Sequence, residues 1–265
     1  MARTIVFIHG AWVTPLCWEP FVGYFRSKGY NCLAPTWPHK DKPIEELRRS
    51  PPPGLAGLGV TEIVDHYERA IKALDEPPIL IGHSFGGLFT QMLLDRGLGR
   101  AGVAIDSAPP KGVLPLQLTA FRSNLGILHT WRGWERVVYQ SFETFQYAFV
   151  NELPSEAQKA VYDRYVVPET GRIFFQAGLA LMDRRNAVLV NFRNSVRAPL
   201  LLIAGEKDQN VPAAMNRSNY DKYRGSGART DFKAFPDRCH WIIAQDGWEQ
   251  IAGYINDWLG QLPGK

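Results

Sequence analysis

Six short runs of residues constrain this chain more than anything else in it. They are Arg3 to Ile8, Tyr30 to Ala34, Ile79 to Ile81, Gly102 to Ile105, Leu200 to Ile203, and a weaker one at Asp231 to Phe235. Four of the six are nearly continuous apolar stretches without polar alternation. A strand of that kind has both faces covered, which is the condition of a parallel sheet packed between helices. Helical patterns fall between the runs. Val60, Ile63, Val64, Tyr67, Ile71 and Leu74 recur at helical spacing until Pro77-Pro78 stops them. Leu88 to Leu94, Ala213 to Tyr223, and a C-terminal stretch carrying Trp248, Ile251, Ile255 and Leu259 read as further helices. Strand alternating with helix predicts an α/β fold with a mostly parallel central sheet flanked by helices.

The alternation breaks once, from Pro109 to Ala198, where no buried strand is expected and the residues are aromatic and helix-like. Ser155 and Gln158 have the spacing of a capping box opening a helix that reaches about Val166. The expected organisation is therefore a core formed by residues 1–108 and 199–265, with residues 109–198 inserted as a helical cap. Pro38 to Gly59 reads as a long loop containing Pro51-Pro52-Pro53, and loops of that length tend to be functional or mobile.

Composition removes several classes of function. At 45% hydrophobic and 21% charged, the 265 residues have globular proportions. Ile5 to Ile8 is far too short to span a bilayer, no other run approaches that length, and no secretory signal is visible, so no membrane partner is expected. The net charge of +4 comes from scattered residues, with short pairs at Arg48-Arg49 and Arg184-Arg185, and no basic stripe suggests nucleic acid. Three cysteines, Cys17, Cys32 and Cys239, show neither paired nor metal-ligand spacing, which fits a reducing cytoplasm. No phosphate loop, dinucleotide fingerprint or zinc motif occurs, so no cofactor and no metal are expected. Oligomeric state is not legible.

One motif carries chemistry. Gly82-His83-Ser84-Phe85-Gly86-Gly87 follows the run Ile79 to Ile81 and precedes a helix. Gly-x-Ser-x-Gly in a strand–turn–helix setting puts a serine on a sharp, strained turn at the sheet's C-terminal edge. Side chains two residues either side would clash, hence Gly82 and Gly86. Ser84 is the expected nucleophile, and the N–H of Phe85 faces the developing oxyanion. Such sites place an acid and then a histidine later in the chain. His240, after the last strand, is the expected base; His129 falls in the insertion. Asp208, at the end of Leu200 to Ile203, is the preferred acid. Asp106, ending Gly102 to Ile105, is its rival, Glu206 is a nearby competitor, and Asp237 is too close to His240 in sequence. After the first strand, His9-Gly10-Ala11-Trp12 should supply the second oxyanion donor at the Ala11 N–H, with Gly10 permitting close approach. Gly10, Trp12 and Trp241 are the expected substrate-binding residues, and His9 and His83 read as structural.

These residues in this order resemble the α/β-hydrolase superfamily over essentially the whole chain. The start is similar to the plant methylesterase and hydroxynitrile lyase group and to bacterial esterases and lactonases, without the usual antiparallel strand pair before the His-Gly strand. The lyases carry Thr where this chain has Gly10, which favours hydrolysis. Haloalkane dehalogenases and epoxide hydrolases carry an Asp nucleophile where Ser84 stands. The resemblance implies a serine esterase acting on a small, apolar ester through an acyl-enzyme. The alternatives are a lactonase, an amide or carbamate hydrolase, a perhydrolase side activity, or a ligand receptor on the same fold.

Overall fold

The computed structural model describes residues 3–113, 130–182 and 185–263. Its centre is a six-stranded sheet. The strands are β1 (Thr4–Ile8), β2 (Asn31–Leu33), β3 (Ile79–His83), β4 (Ala101–Ile105), β7 (Leu200–Gly205) and β8 (Thr230–Phe235), in the order β2-β1-β3-β4-β7-β8. All neighbours are parallel, and one row of the register runs Leu33, Val6, Leu80, Gly102, Leu200, Thr230. The six expected runs are these six strands. β1, β3, β4 and β7 are almost wholly buried, as continuous apolar runs require.

Helices cover both faces: α1 (Glu19–Ser27), α3 (Val60–Lys72), α4 (Phe85–Asp95), α8 (Ala213–Lys222) and α9 (Glu249–Gly260). The apolar stripe of α3 is the expected one, with Val60, Ile63, Val64, Tyr67 and Ile71 buried. α4 is buried from Phe85 to Leu94, because it packs along β3 and β4 at the centre of the sheet. α1 was not anticipated. Its signal is Phe21 and Phe25, four residues apart on one helical face, packed with Phe7 and Trp18. Burial of each such ring contributes about 1.5–3 kcal/mol.

The structure departs from the sequence reading in three further places. The loop Pro38 to Gly59 contains a short helix, α2 (Ile44–Arg49), and a 3-10 turn at Pro53–Gly57. Where no buried strand was expected, Val137–Val138 (β5) and Glu169–Thr170 (β6) form a small antiparallel ribbon. β6 is polar yet fully buried, so its pairing is imposed by tertiary partners and left no apolar signal. The third departure concerns Ser155. It is the first residue of its helix and caps nothing; Pro154 occupies the cap position. Gln158 instead donates to the Leu153 carbonyl. The helix itself, α6 (Ser155–Tyr165), ends where anticipated, and α5 (Phe142–Ala148) and α7 (Arg172–Gly178) flank it. Residues 114–129, with His129, and Arg184 lie outside the described residues.

Candidate active site

A parallel sheet delivers the C-terminal ends of all its strands to one edge, and the candidate residues sit there. Ser84 follows β3 with φ 57 and ψ −122, a conformation that side chains rarely adopt. The turn is fixed by backbone bonds: Ser84 N–H donates to Ile105 O at 2.9 Å, and Ser84 O accepts from Gly87 and Ala108. The flanking glycines are sterically required. A Cβ on Gly82 would lie 2.0 Å from Gly86 O, and one on Gly86 would lie 1.9 Å from Ile8 O. These close approaches draw β1, β3 and α4 together under the serine.

His240 lies in the loop after β8 and is fully buried. Its Nδ1–H donates to Asp208 Oδ2 at 2.6 Å. The other oxygen of Asp208 accepts N–H groups from Asn210 (2.7 Å) and Val211 (2.8 Å), so both oxygens of the carboxylate are held. Among the described residues the Nε2 of His240 has no hydrogen-bond partner. The ring is positioned from several sides. His83 Nε2–H donates to the His240 carbonyl at 2.8 Å, and Phe149 stands edge-on to the imidazole at 4.6 Å. Burial and the neighbouring His240 hold His83 well below the usual histidine range, so it stays a neutral brace.

Asp106 ends β4 one strand away. Its Oδ1 accepts from Gly205 N–H at 2.7 Å, and its Oδ2 has no partner among the described residues. Burial first, and then the charge of Asp208, push its carboxyl well above the usual carboxylate range. Asp106 thus makes no hydrogen bond to the histidine ring. Of the two rivals, Asp208 is the one in contact with it. Glu206 caps no part of this cluster either; its N–H pairs with Phe235 O.

Gly10 lies against the serine, since a Cβ there would meet Ser84 Cβ at 2.7 Å. Its role is to leave room for the backbone to approach. His9 Nδ1–H donates to Gly10 O, while its Nε2 accepts the N–H of Trp37, and burial followed by Lys40 keeps the ring neutral. Phe85 is the first residue of α4, where backbone N–H groups are free of helical partners.

A cavity of about 470 Å³ opens over Ser84. Ala11, Trp12 and Phe85 border it, with Val113, Phe149, Phe174 and Met215 among the apolar walls. Ser84 and Asn210 contribute the polar groups, and no charged side chain lines it among the described residues. Trp12 stacks on Phe174 at 5.1 Å, joining the loop after β1 to α7. Trp241, expected at this pocket, does not border it. Its ring is buried against Tyr165 at 5.1 Å, and the backbone N–H of Trp241 donates to Phe149 O. The wall residues Phe149 and Phe174 come from between β4 and β7, where aromatic content was visible but orientation was not.

The donor atoms of His83, Asp106 and His240 lie within 4.8 Å of one another, a grouping of metal-ligand types. All three residues are buried, and His83 Nε2 and His240 Nδ1 are already hydrogen-bonded. No helix among the described residues is long and apolar enough to cross a membrane.

Comparison with known proteins places these features in a family. No curated protein matches the chain in sequence. Among solved structures, the chain is similar to an extracellular alpha/beta-hydrolase from a Paenibacillus species, with a TM-score of 0.71 and 18% identity, covering 96% of this chain and 98% of that one. It is similar to a methylesterase from Arabidopsis, with a TM-score of 0.70 and 13% identity over 98% of this chain and 100% of that one. A pyrethroid hydrolase from Sphingobium faniae matches with a TM-score of 0.68 and 18% identity over 98% of each chain. These likenesses are of fold. The model of the "Alpha/beta hydrolase family" matches residues 5–252, nearly the whole length, and the chain belongs to that family.

Proposed function

We propose that this protein is a serine esterase that cleaves carboxylic esters of small, neutral, apolar compounds through an acyl-enzyme. The observation that carries the reading is the 2.6 Å bond from His240 Nδ1 to an Asp208 carboxylate held at both oxygens, with Nε2 unpartnered among the described residues and Ser84 on a strained turn. In this reading Asp208 fixes the tautomer that presents a basic Nε2. His240 takes the Ser84 proton as the hydroxyl oxygen attacks the ester carbonyl carbon. The N–H groups of Ala11 and Phe85 donate to the tetrahedral oxyanion, each worth about 3 kcal/mol in the transition state. His240 then protonates the leaving alcohol, and the same base activates the water that releases the acid.

The uncharged cavity supports the substrate class. A carboxylate or ammonium on the acyl group would lose its hydration with no counter-charge to meet it. Residues 109–198 act as a cap in this proposal, contributing Phe149 and Phe174 to the walls. The names of the similar structures, a methylesterase and a pyrethroid hydrolase among them, favour ester chemistry on this fold. The test is hydrolysis of p-nitrophenyl butyrate by the wild type and by Ser84→Ala. The variant should lose at least about 10³-fold in kcat/KM. Equal turnover by both proteins would overturn the proposal and leave a ligand receptor as the better reading.

A further inference from the structure

Lys40 and Glu169 form an ion pair at 2.6 Å in which both side chains are completely buried. Lys40 comes from the long loop after β2, and Glu169 from β6, 129 residues later. The ammonium also sits 4.9 Å from the centre of the Trp37 ring. Such pairs are costly to desolvate, and well-packed apolar residues often replace them without loss of stability. Stability alone is therefore a weak reason for this one. The other contacts of the carboxylate supply a better reason.

Glu169 Oε2, the atom bound to Lys40, also accepts the backbone N–H of Trp12 at 3.2 Å. Its Oε1 accepts the N–H of Thr170 at 2.9 Å. On the other side of the same residue, Trp12 O accepts from Val167 N–H at 2.8 Å. Trp12 thus has both backbone groups tied to residues 167–169. It needs that restraint, because its φ of 70 is unfavourable for a bulky side chain. Ala11 is bracketed between this clamp and Gly10, which is pressed against Ser84. The clamp is itself anchored, since Thr170 Oγ1 donates to Leu58 O, and Arg48 donates to Val166 O and Tyr162 O. The long loop expected to be functional or mobile is therefore the brace of this segment. Lys40 has an electrostatic part as well. A bare carboxylate one residue from an oxyanion donor would oppose the negative charge that develops there, and the ammonium cancels it.

We propose that Glu169, charge-balanced by Lys40, is a positioning residue for the oxyanion loop: it fixes the Trp12 N–H and so aims the N–H of Ala11 at the reacting carbonyl oxygen. This rests on the serine esterase reading. The test compares two uncharged pairs of closely similar volume, Lys40→Met/Glu169→Gln and Lys40→Met/Glu169→Leu. Neither leaves a buried charge unpaired, but only the first keeps an acceptor for the Trp12 N–H.

With p-nitrophenyl butyrate, the Leu pair should show a kcat at least about tenfold below that of the Gln pair, with KM within about twofold. Phenylboronic acid, whose tetrahedral adduct on Ser84 presents an oxygen to the same donors, should bind the Leu pair more weakly by a comparable factor. If the Leu pair does not fold, Lys40→Met/Glu169→Asn carries the same comparison, because its amide is withdrawn by one methylene. Equal kcat in the two pairs overturns the clamp, and so does a slower kcat with unchanged phenylboronic acid affinity. Ser84→Ala, measured alongside, separates the two failures. If it keeps wild-type turnover, the esterase reading falls. If it is inactive while the two pairs agree, only the clamp falls.

Discussion

Asp106 directly follows β4 and Asp208 lies three residues beyond the adjacent strand β7, yet only Asp208 hydrogen-bonds His240, at 2.6 Å. Asp106 turns its Oδ1 to the backbone of Gly205 instead. Burial, and then the neighbouring Asp208, push the carboxyl of Asp106 well above the usual carboxylate range.

Asp208→Asn should therefore lower kcat/KM for p-nitrophenyl butyrate by roughly 10³-fold or more, because the amide favours the wrong tautomer of His240. Asp106→Asn should stay within about tenfold of wild type. The two variants assayed side by side at pH 8 check the assignment, and a larger loss in Asp106→Asn would reverse it.

Asp106 also makes a prediction about stability and pH. Its pKa is raised in the folded protein above the unfolded value, so the protonated acid is the form the fold favours. That contribution is complete below about pH 4 and is lost as pH rises through the folded pKa. An Asn side chain mimics the neutral acid at every pH. The Tm of Asp106→Asn minus that of the wild type should grow between pH 4 and pH 8. A difference that is flat or shrinks over this range contradicts the assigned protonation state.

Glycine substitutions should separate packing from conformation. In Gly86→Ala the added Cβ meets the Ile8 carbonyl oxygen at 1.9 Å, so α4 must move away from β1. A loss of roughly 3 kcal/mol or more is expected, with loss of activity. Gly23, exposed on α1 with nothing within 4 Å of its Cβ position, gives the opposite sign. Gly23→Ala should stabilise by roughly 0.5–1 kcal/mol. Urea titrations of the two variants would show the contrast.

Substrate charge should matter more than substrate length. The cavity of about 470 Å³ has room for a butyryl group but no charged side chain among the described lining residues. Monoesters of p-nitrophenol with butyric and succinic acids differ mainly by a carboxylate. The succinyl ester should react at least about 100-fold more slowly in kcat/KM, reflecting uncompensated desolvation. Comparable rates would mean that the acyl group does not enter this cavity.

The sequence by itself determined the sheet and the turn that carries the candidate nucleophile Ser84, for reasons that act over a few residues. Short apolar runs without alternation, alternating with helical patterns, are what a parallel sheet buried on both faces requires, and Gly82 and Gly86 permit a turn that no larger residue at those positions would allow. The order of the chain narrowed the base to His240 and the acid to Asp208 or Asp106. Which of the two carboxyls touches the ring depended on how the strand ends face it, a relation among β4, β7 and the loop after β8 that no local pattern encodes. Trp241 lay beside His240 in sequence, yet its ring packs against Tyr165 and not at the cavity, because tertiary partners set a loop side chain's direction. The Lys40–Glu169 pair was invisible for the same reason at longer range. A charged residue in a loop and a two-residue polar strand carry no periodic signal, and only tertiary packing brings them together beneath Trp12.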